Sequence, residues 1–130
     1  MQYLEFDSPP TLNKIIKASR ANKFQAASEK KKWTKYIAGL AIDLEPVTQA
    51  WVAVEWTYKM TNSDPDNALA GILKVTLDGL VRADIIPGDT VKEVLSPMFY
   101  SYCKGDSNRA KVILFDNFAE YQKYILSKIM

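Results

Sequence analysis

The chain has 130 residues, of which 48% are hydrophobic and 25% charged, and these values are typical of one soluble globular domain. It contains no histidine and a single cysteine, which excludes internal disulfides, the usual zinc-binding sets and histidine-based catalytic triads. No segment approaches the ~20 apolar residues of a membrane span, and the N-terminus does not resemble a signal peptide. We therefore expect a cytoplasmic protein without a membrane partner.

Charge is distributed unevenly along the chain. Residues 11–42 hold eight lysines and arginines and one acid, whereas the remaining residues hold nine bases and fourteen acids. A basic segment beside an acidic body is typical of a protein that grips a polyanion with one part and acts on it with another. The alternative is a lysine-rich helix face that is simply solvated.

The first half of the chain predicts a strand, a helix and a second strand. Residues 2–7 alternate weakly and end before the turn signal Pro9-Pro10, and residues 11–20 suit a short helix or a loop. Residues 26–42 carry apolar side chains at helical spacing. Residues 50–60 are rich in β-branched and aromatic side chains, which predicts a strand with Trp56 in the core.

The second half predicts a long helix, two strands and a last helix. Asp64 and Pro65 are typical of a helix start, and the helical period of leucines continues to about residue 82. Val91–Lys104 and Arg109–Phe115 are predicted strands on either side of the turn KGDSN, and Asp116 is a candidate cap for a helix over 118–130. Together these elements predict a single α+β domain over 1–130, with helices packed against a mixed β-sheet.

Two carboxylates flank Pro65 at the start of the long helix. Asp64 and Asp66 follow the strand 50–60 directly, so they are expected at the end of a sheet strand, where sites are often built. Mg²⁺ and Mn²⁺ prefer carboxylate oxygens, and metal-assisted phosphodiester cleavage needs acids that converge on a small volume. Helix capping is the alternative role, since Asp is favoured in the first turn.

The order of motifs around these acids resembles the RusA-type Holliday junction resolvases. The matching runs are D-P-D-N from Asp64, L-D-G-L from Leu77, I-I-P-G-D-T from Ile85 and the early P-P-T-L-N that ends at Asn13. Members of that family are small homodimeric, Mg²⁺-dependent endonucleases that cut branched DNA. The resemblance therefore implies a homodimer that cleaves four-way junctions during recombination and repair.

Carried over residue by residue, the resemblance implies that Asp64, Asp66 and Asp89 are catalytic and bind Mg²⁺ or Mn²⁺. The family's catalytic lysine is matched by Lys74 if one helical turn is added, because Ala70 occupies the usual position. An ion pair with Asp78 is the alternative role of Lys74. Charge and resemblance together give a set of candidate DNA-binding residues, namely Asn13, Lys30, Lys31, Lys32, Lys35 and Asn67.

Ala70 and the lack of an arginine run before Asp64 also fit another class of protein. This is a RusA-like protein that binds DNA or a protein partner and does not cleave. Trp33 and Tyr36, beside the lysines, suit either stacking on unpaired bases or anchoring of the helix. Tyr100 and Tyr102 share a strand face and are expected to be structural.

Overall fold

The computed structural model describes residues 1–7 and 23–130, with side chains from residue 28 onward in the second range. Four strands form one sheet: β1 (Gln2–Asp7), β2 (Ala50–Tyr58), β3 (Val94–Lys104) and β4 (Arg109–Phe115). The helices are α1 (Lys23–Leu40), α2 (Pro65–Arg82) and α3 (Phe118–Ile129), with a short 3₁₀ turn at Ala41–Asp43. The predicted α+β class with a mixed sheet is confirmed.

The sheet has the order β1-β4-β2-β3, with β2 parallel to β3 and β4 antiparallel to both β1 and β2. Both strands around the KGDSN turn are confirmed, but they are not neighbours, because β2 lies between them. The turn crosses the end of β2, where the amide of Gly105 donates to the Tyr58 carbonyl at 2.8 Å and the Asn108 side chain accepts from the Lys59 amide at 3.0 Å.

The larger of two hydrophobic clusters lies between one sheet face and the helices α1 and α2. Alternate residues of the central strand point into it, with Val52, Val54 and Trp56 all buried, which confirms the core position of Trp56. The helix α1 contributes Ile37, which is fully buried against α2. This buried contact attaches α1 to the domain, although most of the helix surface is polar.

The opposite sheet face is covered in part by α3. Tyr121 is fully buried there and its hydroxyl donates to the Pro97 carbonyl at 2.6 Å, while its ring packs on Phe115. The prediction that Asp116 caps this helix was wrong. Asn117 is the cap, since its side chain accepts from the Glu120 amide at 3.0 Å and its backbone has the extended conformation that a cap requires.

The helix α2 links the parallel pair β2 and β3 and so fixes both ends of the candidate site. It begins immediately after Asp64, which has extended backbone, and Pro65 fills the first turn where no amide is needed. It ends at Arg82, and Asp84 then turns the chain with a φ of 59°, in the left-handed region. Ile85 and Ile86 are buried, so the following segment folds back under the helix.

Candidate functional site

The Asp64 and Asp66 side chains lie beside each other at the N-terminal end of α2. Both are exposed, and Asp64 makes no capping hydrogen bond with its side chain although it occupies the capping position. The backbone amides of Asp66 and Asn67 still act on the Asp64 carboxylate, so part of a capping interaction is present. Both carboxylates are nevertheless exposed and present oxygen atoms to solvent.

The proximity of the two acids changes the protonation of Asp64. A hydrogen bond with the Asp66 side chain raises the pKa of Asp64 above its ordinary value, and slight desolvation and repulsion from the Asp66 charge act in the same direction. The backbone amides of Asn67 and Asp66 oppose this rise. Two carboxylates this close repel each other when both are ionised, and a cation bound between them would relieve that repulsion.

Asp89 lies on the loop that returns along the flank of α2. It lines a groove of about 390 Å³ together with Leu73, Leu77 and Val94, among others. Leu73 is the α2 residue of this groove closest to the acid pair in sequence, seven positions after Asp66 and so roughly 10 Å along the helix axis. The fold thus brings Asp89 back beside the helix without joining it to the pair: the part of the chain that the structure describes contains no group of three metal-binding side chains.

The segment after Asp89 is held by a local turn. The Glu93 carboxylate accepts hydrogen bonds from the Thr90 amide at 3.0 Å and from the Thr90 hydroxyl at 2.6 Å. The hydroxyl bond is the main reason that the pKa of Glu93 lies below its ordinary value. The turn fixes the backbone immediately after Asp89 relative to the start of β3.

Lys74 pairs with Asp78 on the surface of α2. Its Nζ lies 3.5 Å from an Asp78 carboxylate oxygen, with the lysine side chain about half exposed. The ion pair considered in the sequence analysis is therefore present. Such a pair holds the lysine loosely, since (i, i+4) ion pairs on a helix contribute about 0.2–0.5 kcal/mol.

The glycine in the L-D-G-L run has a packing role. A Cβ atom at Gly79 would overlap the Ile37 side chain of α1. Gly79 is itself buried, so the two helices approach each other here as only glycine allows.

The lysines of α1 form an exposed basic surface. Lys30, Lys31, Lys32 and Lys35 are all exposed, and no described acid forms an ion pair with them. Asn13, the remaining predicted DNA contact with the early P-P-T-L-N run, lies outside the described residues.

A groove of about 520 Å³ adjoins this surface and is lined by Asp7, Lys32, Trp33, Lys35 and Tyr36. The ring of Tyr36 is exposed and meets Trp33 edge to face at 5.7 Å. Strand pairing places the ends of β1 and β2 opposite the same residue of β4, Arg109. The groove and the acid pair, which follows the end of β2, are therefore at the same end of the sheet.

Sequence reasoning missed the exposure of Tyr100 and Tyr102. They share a strand face as predicted, yet α2 does not cover them, and they are 41% and 54% exposed. Alternation along β3 identified the shared face but carried no information about which helix would cover it. Tyr102 also packs against Trp56 and Tyr58, with ring centroids 6.1 Å and 6.2 Å apart, so a structural role and partial exposure occur together.

No model of a known protein family matches the chain, and a comparison with curated proteins found no match. Within the described ranges, the structure contains no helix that is long and apolar enough to cross a membrane.

Proposed function

We propose that this protein is a metal-dependent endonuclease that cleaves branched DNA, in particular four-way junctions, as a homodimer. The observation that carries the proposal is the adjacent and exposed carboxylate pair Asp64 and Asp66, which follows the end of the central strand. The resemblance of the surrounding motifs to the RusA-type resolvases supplies the substrate class.

The carboxylate pair suits a hard divalent cation. Mg²⁺ commonly takes one or two protein carboxylates and completes its shell with waters and substrate phosphate oxygens. Asp64 and Asp66 supply the two carboxylates, and the Asn67 side chain lies next to them in sequence. Asp89 would complete a three-acid site only if its loop moved along α2 toward the pair, and the cation and the DNA are the ligands expected to favour that movement.

When bound, the cation would polarise the scissile phosphate and lower the pKa of an attacking water. Asp64 and Asp66 would hold it at a fixed position relative to the end of the sheet. Lys74 would leave Asp78 and neutralise charge on a phosphate oxygen, an exchange that costs little because an (i, i+4) pair contributes only about 0.2–0.5 kcal/mol.

The basic surface of α1 would hold the DNA backbone. Phosphate contacts from lysines set affinity and carry little sequence information, which suits an enzyme that recognises the shape of a branch. The groove with Trp33 and Tyr36 offers aromatic faces beside Lys32 and Lys35, and unpaired bases at a branch point can stack on such faces.

A second candidate function is DNA or partner binding without cleavage. The observations that favour it are the separation of Asp89 from the acid pair and the engagement of Lys74 by Asp78. The basic surface would serve such a protein equally well.

The decisive experiment mixes the protein with a labelled four-way junction, with and without Mg²⁺ or Mn²⁺, and follows binding and strand cleavage on gels. The proposed endonuclease binds without metal and cuts when either metal is added. Binding in all conditions without cuts in either metal would favour the second candidate. Absence of junction binding would reject the endonuclease and the DNA-binding form of the second candidate, and leave only binding of a protein partner.

A further inference from the structure

The two edges of the sheet differ in charge. At the β1 edge, Glu5 and Asp7 form ion pairs with Arg109, and Glu5 also pairs with Lys111. Charged side chains of this kind prevent an edge strand from pairing with another chain. At the other edge, residues 94–103 of β3 contain no charged side chain, and Lys104 is the first charge.

The β3 edge is also long and apolar. It has eleven residues against six in β1, and on the face shared with α2 the side chains of Met98, Tyr100 and Tyr102 are 44%, 41% and 54% exposed. On its inner side β3 pairs with β2, and within the described sheet no strand pairs with its outer side. Exposed apolar edges of this kind are sites of strand addition.

Only part of β3 is available for pairing. The Ser96 carbonyl accepts from the Trp51 indole at 3.1 Å and the Pro97 carbonyl accepts from the Tyr121 hydroxyl. Proline also has no amide to donate. The available segment is therefore Met98–Lys104, seven residues.

We propose that β3 pairs through Met98–Lys104 with the same segment of a second copy, antiparallel and across a two-fold axis. This interface specifies how the homodimer of the proposed function is built. Only its consequence for DNA cleavage rests on the proposed function. A second copy fits better than DNA, because the segment offers one cation to a phosphate backbone but a continuous apolar surface to its own equivalent.

A two-fold axis through Ser101 pairs the whole segment with itself. Tyr100 then lies opposite Tyr102 of the second copy, and Lys104 lies opposite Met98, so no like charges meet across the strands. Aromatic pairs of this kind stabilise antiparallel strands. The interface is isologous, as closed dimers require.

Such a dimer has one continuous sheet of eight strands. Antiparallel neighbours in one sheet keep the same faces on the same side, so both copies of α2 and both Asp64–Asp66 pairs lie on one surface. Two symmetric sites on one surface suit two symmetric cuts in a four-way junction.

The test measures molar mass by light scattering and sedimentation of the full chain at tens of micromolar, for the wild type and for Tyr100→Lys/Tyr102→Lys. We expect the wild type at twice the 14.7 kDa chain mass and the variant at the chain mass, with unchanged circular dichroism. The matched control, Ile42→Lys/Leu126→Lys, adds the same charge at exposed apolar positions elsewhere and should remain dimeric.

A cross-link makes the axis testable. In a Cys103→Ser background, Ser101→Cys should form an interchain disulfide on oxidation, because equivalent Cα atoms across the axis lie within disulfide distance. A monomeric wild type, a dimer that persists in the tyrosine variant, or a dimer lost only in the control would overturn the interface. A β3-linked dimer that cuts no DNA would instead leave the interface standing and remove the endonuclease proposal.

Discussion

At the scale of single residues, the paired carboxylates determine what the site can bind. Asp64 and Asp66 approach each other because an extended residue, a proline and the first helical turn direct both side chains to the same end of α2. In the absence of a cation, the hydrogen bond with Asp66 favours the protonated form of Asp64, which is why the pKa of Asp64 is raised. A bound divalent cation would favour the ionised form instead.

The raised pKa of Asp64 gives a pH dependence of defined sign. The folded state holds the proton more tightly than the unfolded state, so this group favours folding at low pH and the effect is lost as pH rises through the raised pKa. Asp66→Asn removes the neighbouring charge and supplies an amide donor, so we expect the pKa of Asp64 to fall toward its ordinary value. Carboxyl-carbon NMR titration of both proteins measures this, and an identical Asp64 pKa in the two would contradict the pairing.

A lysine that serves only Asp78 can be distinguished from one that contacts phosphate. Lys74→Gln and Asp78→Asn each break the same (i, i+4) pair, so both should lower stability by about 0.2–0.5 kcal/mol in urea unfolding. If Lys74 neutralises charge in the transition state, Lys74→Gln lowers the cleavage rate roughly 10²-fold, as loss of a comparable donor does elsewhere. Asp78→Asn serves as the control and should cut at nearly the wild-type rate, whereas equal rates for both variants would assign Lys74 to the ion pair alone.

At the scale of secondary-structure elements, the contact between α1 and α2 holds the basic helix beside the helix that carries the acids. Gly79 allows the close approach of Ile37, which is fully buried. Packing against Ile37 therefore explains the glycine of the L-D-G-L run without any functional role.

Gly79→Ala should destabilise the domain. The added methyl group overlaps Ile37 and forces the helices apart, and overpacking of this kind costs about 1–3 kcal/mol. Gly39→Ala is a suitable control, because nothing lies within 4 Å of its Cβ position in α1 and alanine favours the helix. Chemical denaturation should place the two variants on opposite sides of the wild type, and a neutral Gly79→Ala would contradict the close packing.

The basic surface of α1 gives a second prediction at this scale. Replacing Lys30, Lys31 and Lys32 with Gln should weaken junction binding uniformly across sequences and reduce the slope of log affinity against log salt by up to about three. Titration of a labelled junction at several salt concentrations measures both quantities. Affinity within about twofold of the wild type would mean that these lysines form a solvated face and that the DNA is held elsewhere.

At the scale of the whole molecule, local signals in the sequence predicted the elements better than their arrangement. The start of α2 followed from Asp64 and Pro65, and the core position of Trp56 followed from alternation along β2. The insertion of β2 between β3 and β4 was not predictable from the KGDSN turn, because strand order depends on contacts between residues distant in sequence. The cap is Asn117 and not Asp116 because the helix begins at Phe118, and the sequence pattern did not locate this start to within one residue.

In the candidate site, too, local features were predictable from the sequence and the long-range arrangement was not. The proximity of Asp64 and Asp66 follows from their spacing, whereas the place of Asp89 rests on the resemblance and on a loop that the fold brings back only as far as the flank of α2. The proposed three-acid site therefore requires Asp89 to act together with the pair, from which it is separated in the structure.

One measurement tests this directly: Mg²⁺-dependent cleavage of a labelled four-way junction by Asp66→Asn, Asp89→Asn and Asp84→Asn. Asp84 is the control, since it lies close to Asp89 in sequence and asparagine tolerates its left-handed backbone. We expect that Asp66→Asn and Asp89→Asn both fold, bind the junction at least as tightly as the wild type and lose nearly all cleavage, while Asp84→Asn cuts normally. Wild-type cleavage by Asp66→Asn and Asp89→Asn would contradict the proposed metal site and leave the paired carboxylates without a catalytic role.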